Sequence, residues 1–372
     1  LVRRVGRAGR GGVAVRILHV VQDPGIQPGR KKGASVHVEA MRKAFARLGH
    51  EVVALDEADA ACCVARFEEL QARVPFDFVY ERHALSRARL ALRTSALGVP
   101  HVHEVNAPLA EEEALWRFGA RQVDEEDERR AFASAAGVLC VSSDCARYAR
   151  ARGASLAATW VEPNGVDEEL FAPLARDHPA RAELAPTGSY VIGFHGRLRP
   201  WHNFPMLVEA VERLLARDVP AHLVLLGEGD FESHLAGRAC ATRTTRLAWV
   251  EHEQVGRIVA ACDVLPLTYA ADAPCWFSPL KLLEAMSAGV VPVVPALGDL
   301  ESAVAHERDG LVYPAGDLEA LVEALERLWR DARSRDVLAR EARRTAAGRS
   351  WTSIARRVVA RVASLRAGRE AI

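Results

Sequence analysis

Val290-Val291-Pro292-Val293-Val294 is apolar at every position, so no alternation remains to turn one face of a strand toward water. A strand of that kind must be covered on both faces, which in a globular chain means helices on either side of a parallel sheet. The residues before it agree. Ser278-Pro279 reads as a helix opening, with Ser at the N-cap and Pro at the first helical position. Leu280, Leu283 and Met286 or Ser287 then repeat at helical spacing, Lys281 and Glu284 share another face, and Gly289 ends the helix. A helix N-terminus at the mouth of a buried strand is a ready anion site, because its unpaired N–H groups point outward. On shape alone, an ordinary loop–helix–strand unit with nothing bound reads equally well.

The same grammar recurs along the chain and sets the class as α/β. Val15 to Val21 reads as a first strand, followed by a Gly/Pro-rich basic loop, a helix from about Ser35 to Leu48, Gly49, and a strand from Glu51 to Leu55. Gly33 would let a ligand approach the backbone with no Cβ in the way, and Lys31 and Lys32 beside it read as well as a solvated loop. Further strands are expected at Phe76 to Tyr80, Val99 to Val105 and Gly137 to Ser142, with helices near Ser86 to Leu97 and Ser143 to Arg152. Glu104 to Pro108 falls at a strand's C-terminal end, where open α/β sheets place ligand groups. The acidic runs Glu111 to Glu113 and Asp124 to Glu128 read as a solvated helix face. His101 and His103 alternate on one strand face as metal ligands would, but no third ligand stands at a suitable spacing and no metal is expected. Pro163-Asn164-Gly165 is strong turn chemistry and marks a break, followed by a Pro/Ala-rich connection.

A second α/β domain begins at Tyr190 to Phe194, with helix Phe204 to Ala216, strand Ala221 to Leu226, the turn Gly227-Glu228-Gly229 and a strand from Arg246 to Val250. The Gly227-x-Gly229 pair lacks the third glycine of a dinucleotide fingerprint and is weak on its own. The organisation expected is a basic, disordered tail over 1–14, a first domain over 15–166 joined by a C-terminal helix over 351–366, a linker over 167–188 and a second domain over 189–350. Apolar content of 49% and charged content of 26% are those of a globular protein, and zero formal net charge supplies no global field for nucleic acid. No apolar run reaches the ~18 residues of a membrane span, and no apolar signal core follows the Arg/Gly-rich start. Seven scattered cysteines without a CxxC pair read as free thiols of a reducing cytoplasm.

The segment CWFSPLKLLEAMSAGVVPVV resembles the donor-site signature of the family 4 retaining glycosyltransferases, also called glycosyl transferases group 1, and KGASVHVEAMRKAFARLGHEV resembles their opening. The resemblance implies the GT-B fold, two Rossmann-like doubly wound domains facing across a cleft. It matches Glu284 to the second Glu of the family's pair, implying a ribose-binding carboxylate, while the first Glu position holds Trp276. Arg197 matches one of two cations that hold the donor diphosphate, and the other, a Lys in the family, is His202 here. Asn106 stands where a His commonly lies beside the donor sugar. Arg197 and His202 are thus the expected catalytic residues. Ser278, Pro279, Leu280, Lys281, Glu284, Gly33, Asn106, Gly227, Trp249 and Val250 are the expected substrate-binding ones.

The resemblance further implies transfer of a sugar from a nucleotide-diphosphate sugar to an acceptor hydroxyl with retention, the leaving phosphate taking the acceptor's proton. No cofactor is implied, and the absence of any Asp-x-Asp pair speaks against a metal–diphosphate clamp. The partners implied are a nucleotide sugar and a glycan, lipid-linked or small-molecule acceptor, in the cytoplasm or peripherally at the inner membrane face. His202, as a titratable cation, is expected to give donor binding a pH dependence near neutrality. Two alternatives stay open: a nucleotide-sugar epimerase on the same fold, and a partner subunit whose activity has decayed, suggested by Trp276, Asn106 and His202.

Overall fold

In the computed structural model, which describes residues 2–5, 14–26, 33–116, 123–248 and 250–370, the chain divides into two units. The first comprises Leu1–Asn164, Trp276–Ser278 and Trp351–Ile372. Its elements are β1 (Val2–Val5), β2 (Arg16–Val21), α1 (Gly33–Arg47), β3 (Glu51–Asp56), α2 (Ala60–Arg73), β4 (Phe78–Arg82), α3 (Ala88–Ala96), β5 (His101–Val105), α4 (Leu109–Trp116), α5 (Glu125–Ser134), β6 (Gly137–Cys140), α6 (Ser143–Ala151) and β7 (Thr159–Val161). The sheet order is β1-β3-β2-β4-β5-β6-β7, parallel except for β1. The order reverses between β2 and β4, which makes the C-terminal edge of those strands the switch point of a doubly wound sheet.

Two expectations change here. Residues 2–5 are no tail: β1 lies antiparallel on β3, Val2 opposite Leu55. Helix α2 is an addition, although its signals are local. Asp59 caps it by accepting from Ala61 N and Cys62 N at 2.9 and 2.8 Å, and Cys63, Phe67 and Leu70 recur at helical spacing onto Leu18, Val20 and Val53.

The second unit comprises Gly165–Cys275 and Pro279–Ser350. It contains α7 (Pro179–Leu184), β8 (Tyr190–His195), α8 (Phe204–Ala216), β9 (Ala221–Leu226), α9 (Phe231–Leu235), β10 (Thr244–Leu247), α10 (His252–Ala260), β11 (Val264–Pro266), α11 (Leu280–Ser287), β12 (Val291–Ala296), α12 (Leu300–Ala303), β13 (Leu311–Pro314), α13 (Leu318–Arg330) and α14 (Ala332–Ala347). Its all-parallel sheet runs β10-β9-β8-β11-β12-β13, with the switch point between β8 and β11. Leu207, Val211 and Leu214 of α8 and Leu321, Val322, Leu325 and Leu328 of α13 bury against Ile192, Leu223, Val293 and Leu311 of the sheet. Each such side chain contributes roughly 1.5–3 kcal/mol of transfer free energy.

The stretch expected as a linker, 167–188, packs into this unit. Phe171 is buried and Arg181 reaches the Asp263 carboxylate at 2.5 Å, so this stretch belongs to the second core. The last helix, α15 (Trp351–Glu370), belongs to the first unit. Trp351, Ile354, Ala355, Val358 and Val362 form its buried stripe, and Trp351 meets His37 of α1 edge-on with ring centroids 4.8 Å apart.

Candidate functional site

The loops that leave β8 and β9 lie so close that only glycine fits between them. Gly196 adopts φ +106° and Gly227 φ +130°, both left-handed, and a Cβ on Gly227 would stand 2.3 Å from the Gly196 carbonyl oxygen. A Cβ on Gly229 would meet the Leu198 Cβ at 2.3 Å. Gly227, expected to serve a ligand, is therefore required by the seating of the neighbouring loop. The backbone bonds Gly196 N to Leu226 O at 2.8 Å and Leu198 N to Glu228 O at 2.7 Å fasten that seat.

Helix α11 starts beside the switch point of the second sheet, but not by the Ser278 cap expected. Pro279 holds the N-cap position in an extended conformation with no side-chain cap. Ser278, assigned with Trp276 and Phe277 to the first unit, turns its hydroxyl to the backbone N–H of Asn164 at 3.1 Å and accepts Asn164 Nδ2 on its carbonyl at 2.6 Å. The Asn164 turn and the signature loop are thus tied together, with the Ser278 hydroxyl accepting there instead of capping α11. Leu280 opens the helix, and Gly289 at φ +72° closes it as its sequence position requires.

One turn along α11, Lys281 and Glu284 come together with the end of β8. His195 Nε2 lies 2.6 Å from Glu284 Oε2, both side chains nearly buried. Lys281 Nζ lies 3.2 Å from His202 Nε2 and 4.4 Å from the centre of the Phe194 ring. Burial pushes the Lys281 pKa down to about 7, with Glu284 acting against that shift. An ammonium held at that value is poised: an anion brought beside it would charge it fully.

His202 does not meet the expectation of a charged imidazolium near neutrality. It is buried, stacked on Tyr269 with centroids 5.8 Å apart, and its Nδ1 accepts the Arg199 backbone N–H at 3.1 Å. Burial, then the neighbouring Lys281, Arg199 and His195, push its pKa down to about 2. The neutral ring carries its proton on Nε2, facing the Lys281 amine, which accepts it when uncharged. The titrating group here is Lys281. Arg197 is exposed and pairs with Glu228, the kind of surface ion pair worth at most about 1 kcal/mol and easily exchanged for another anion.

In the first unit, Asn106 follows β5 with both amide atoms buried and without a partner. The adjacent Glu104 carboxylate accepts from Tyr80 Oη and meets His37 Nε2, at 2.5 and 2.6 Å. Gly33 is the exposed first residue of α1, while Lys31 and Lys32 lie outside the described residues. So does Trp249; Val250 follows it in the loop after β10. Residues expected on a solvated acidic face divide in two: Glu128 is buried, with His83 Nε2 2.8 Å and Arg152 Nε 2.9 Å from its oxygens.

Sequence reasoning misses His195, His37 and Tyr80. His195 has a signal: it ends a buried strand just before Gly196-Arg197, at the edge where such sheets bind ligands. His37 and Tyr80 have none, because only pairing across the sheet and helix packing bring them to Glu104.

Residues 189–331 match the family model described as glycosyl transferases group 1. The chain is 30% identical over 312 residues to D-inositol 3-phosphate glycosyltransferase of Stackebrandtia nassauensis, spanning 78% of this chain and 69% of that protein. It is also 30% identical over 190 residues to a GDP-mannose-dependent alpha-mannosyltransferase of Mycobacterium tuberculosis, spanning 50% of this chain and 46% of that protein. Its fold is similar to that of HepE of Anabaena, crystallised in complex with UDP: TM-score 0.74 at 19% identity, covering 94% of this chain and 100% of that one. The two doubly wound sheets, the signature helix at the second switch point and these likenesses agree, and the chain belongs to the group 1 glycosyltransferases, with the GT-B fold.

Proposed function

We propose that this protein transfers a hexose from a nucleotide-diphosphate sugar to an acceptor hydroxyl with retention of anomeric configuration, working in the cytoplasm. The observation that carries this reading is the Lys281–Glu284 pair on the first turns of α11, with His195 2.6 Å from the carboxylate and the amine's pKa pushed down by burial to about 7. The diphosphate sits on Lys281 and the first turn of α11, with Arg197 released from Glu228 to join it. These groups supply the neutralisation that a divalent cation supplies in other transferases, so no cofactor is needed. Glu284 keeps Oε2 toward His195 and offers Oε1 to the ribose hydroxyls. Negative charge grows on the diphosphate as the glycosidic bond breaks, so the same cations lower the barrier and hold the ground state.

The acceptor is a small-molecule, glycan or lipid-linked hydroxyl. UDP is held by HepE and GDP-mannose is used by the mycobacterial relative, so uridine and guanosine diphosphates come first among donors. A thermal-shift series with UDP, GDP, ADP and dTDP is the test. One diphosphate should raise the unfolding midpoint well above the other three. Glu284→Ala should then weaken its binding by tenfold or more, and a 2′-deoxyribose version of the nucleotide should lose affinity with native protein but little with the variant. Binding untouched by Glu284→Ala would remove the assignment.

A further inference from the structure

Among the described residues, Glu81, His101 and His103 form a buried group whose ligand-type atoms all lie within 4.8 Å of one another. They lie in the first unit, on adjacent strands β4 and β5, where Glu81 is the register partner of His103. We propose that this group is a site for a divalent transition-metal ion, zinc best fitting its donor set, that ties β4 to β5.

Three features separate it from an ordinary buried ion pair. First, His101 Nε2 and Glu81 Oε2 stand 2.9 Å apart, yet neither has a hydrogen-bond partner, so the two atoms are close without being aimed at each other. Ligand atoms around a tetrahedral zinc, with arms of about 2.0–2.1 Å, stand roughly 3.4 Å apart and point at a shared centre. Second, both ring nitrogens of His103 are buried with no partner at all. An imidazole left so in a core costs the desolvation of two polar atoms, and a bound ion would take up the lone pair of one of them. Third, the remaining atoms of the other two ligands are already held. Thr94 Oγ1 gives its proton to the Ala91 carbonyl and stands 3.0 Å from His101 Nδ1, which therefore carries the ring proton and leaves Nε2 a free lone pair. Gln22 Nε2 donates to Glu81 Oε1 at 2.5 Å, leaving Oε2 for the ion.

Gln22, which holds Glu81, also lines a cavity of about 320 Å³ together with Asp23, Arg87, Glu112 and Glu113. Two neutral imidazoles and one carboxylate suit zinc better than magnesium or calcium, which take oxygen ligands.

The test uses the full chain. Native protein equilibrated with zinc and then dialysed should retain about one ion per chain by atomic emission. Cobalt in its place should give the intense visible absorption of a four-coordinate site. His103→Leu, which refills the core with an apolar side chain, should weaken zinc binding tenfold or more and abolish the cobalt spectrum, and Glu81→Gln should do the same by removing the charge. Zinc should also raise the unfolding midpoint of native protein and not of the variants. Native protein that retains less than about a tenth of an equivalent overturns the proposal, whatever the variants do. So does a folded His103→Leu protein that keeps the metal.

Discussion

Lys281 and His202 exchange the roles their residue types suggest. A lysine three residues before Glu284 looks like one more helix-face charge, and a histidine in the place of a family lysine looks like the tunable cation. Burial decides otherwise, because it disfavours charge on both and the imidazole has less to lose. With the diphosphate placed on Lys281 as proposed, the pH dependence of donor binding is expected to follow that residue. Its pKa in the free protein is about 7, and a diphosphate beside it raises that value. The contribution of Lys281 to affinity is fully present below the free-state pKa and fades as pH rises through the raised, bound-state pKa. Between the two, binding takes up a proton. Calorimetry of nucleotide-diphosphate binding at about pH 8, in buffers of different ionisation enthalpy, should register that uptake in native protein. Lys281→Arg, charged throughout, should abolish it, and uptake that survives in the arginine variant would assign the proton elsewhere.

At the scale of elements, the site depends on two glycine loops pressed together. Gly227 is left-handed and its missing Cβ leaves room for the Gly196 carbonyl, 2.3 Å from where that Cβ would be. Gly227→Ala adds backbone strain to a clash that neither rigid loop can relieve. It should destabilise the second unit by roughly 2 kcal/mol or more, read from the denaturant midpoint. Gly25→Ala makes a useful control: its Cβ would meet only the Asp23 side chain, so it should shift the midpoint much less. Equal effects from both would mean that the close approach of the loops is not what fixes Gly227.

For the molecule as a whole, the chain leaves the first unit at Asn164, gives it Trp276–Ser278 from within the second stretch, and returns to it at Trp351. Helix α15 packs on α1 through Trp351 and an apolar stripe, so the first unit needs residues from both ends of the chain. Ending the chain at Ser350 strips α15 from α1 and leaves His37 without its aromatic neighbour. The expected result is a lower unfolding midpoint for the first unit, with the second unit's transition little changed. Hydrogen exchange read peptide by peptide separates the two, and protection of α1 should fall while that of α8 and α13 holds. Uniform loss in both units would show that α15 supports more than its own core.

The class, the repeated strand–loop–helix order and most element positions were legible in the sequence, because these rest on local signals. Val290 to Val294 could only be a strand covered on both faces, α8 and β9 lie where their periodicity places them, and Gly289 ends its helix by adopting the one conformation it alone tolerates cheaply. Glu284 was singled out by the wording around it, and the fold sets its carboxylate against His195. Tertiary structure settled what a local reading cannot reach: which charges survive burial, and which side chains meet across strands. Glu81 stands twenty residues before His101 and becomes its neighbour only through the β4–β5 register. Ser278 looks like a helix cap until Asn164, far away in sequence, takes its hydroxyl. His202 looks ionisable until Tyr269, Phe194 and the Arg199 backbone close around it. Hydrogen bonds, desolvation and charge are settled by neighbours in space, and the fold chooses those neighbours.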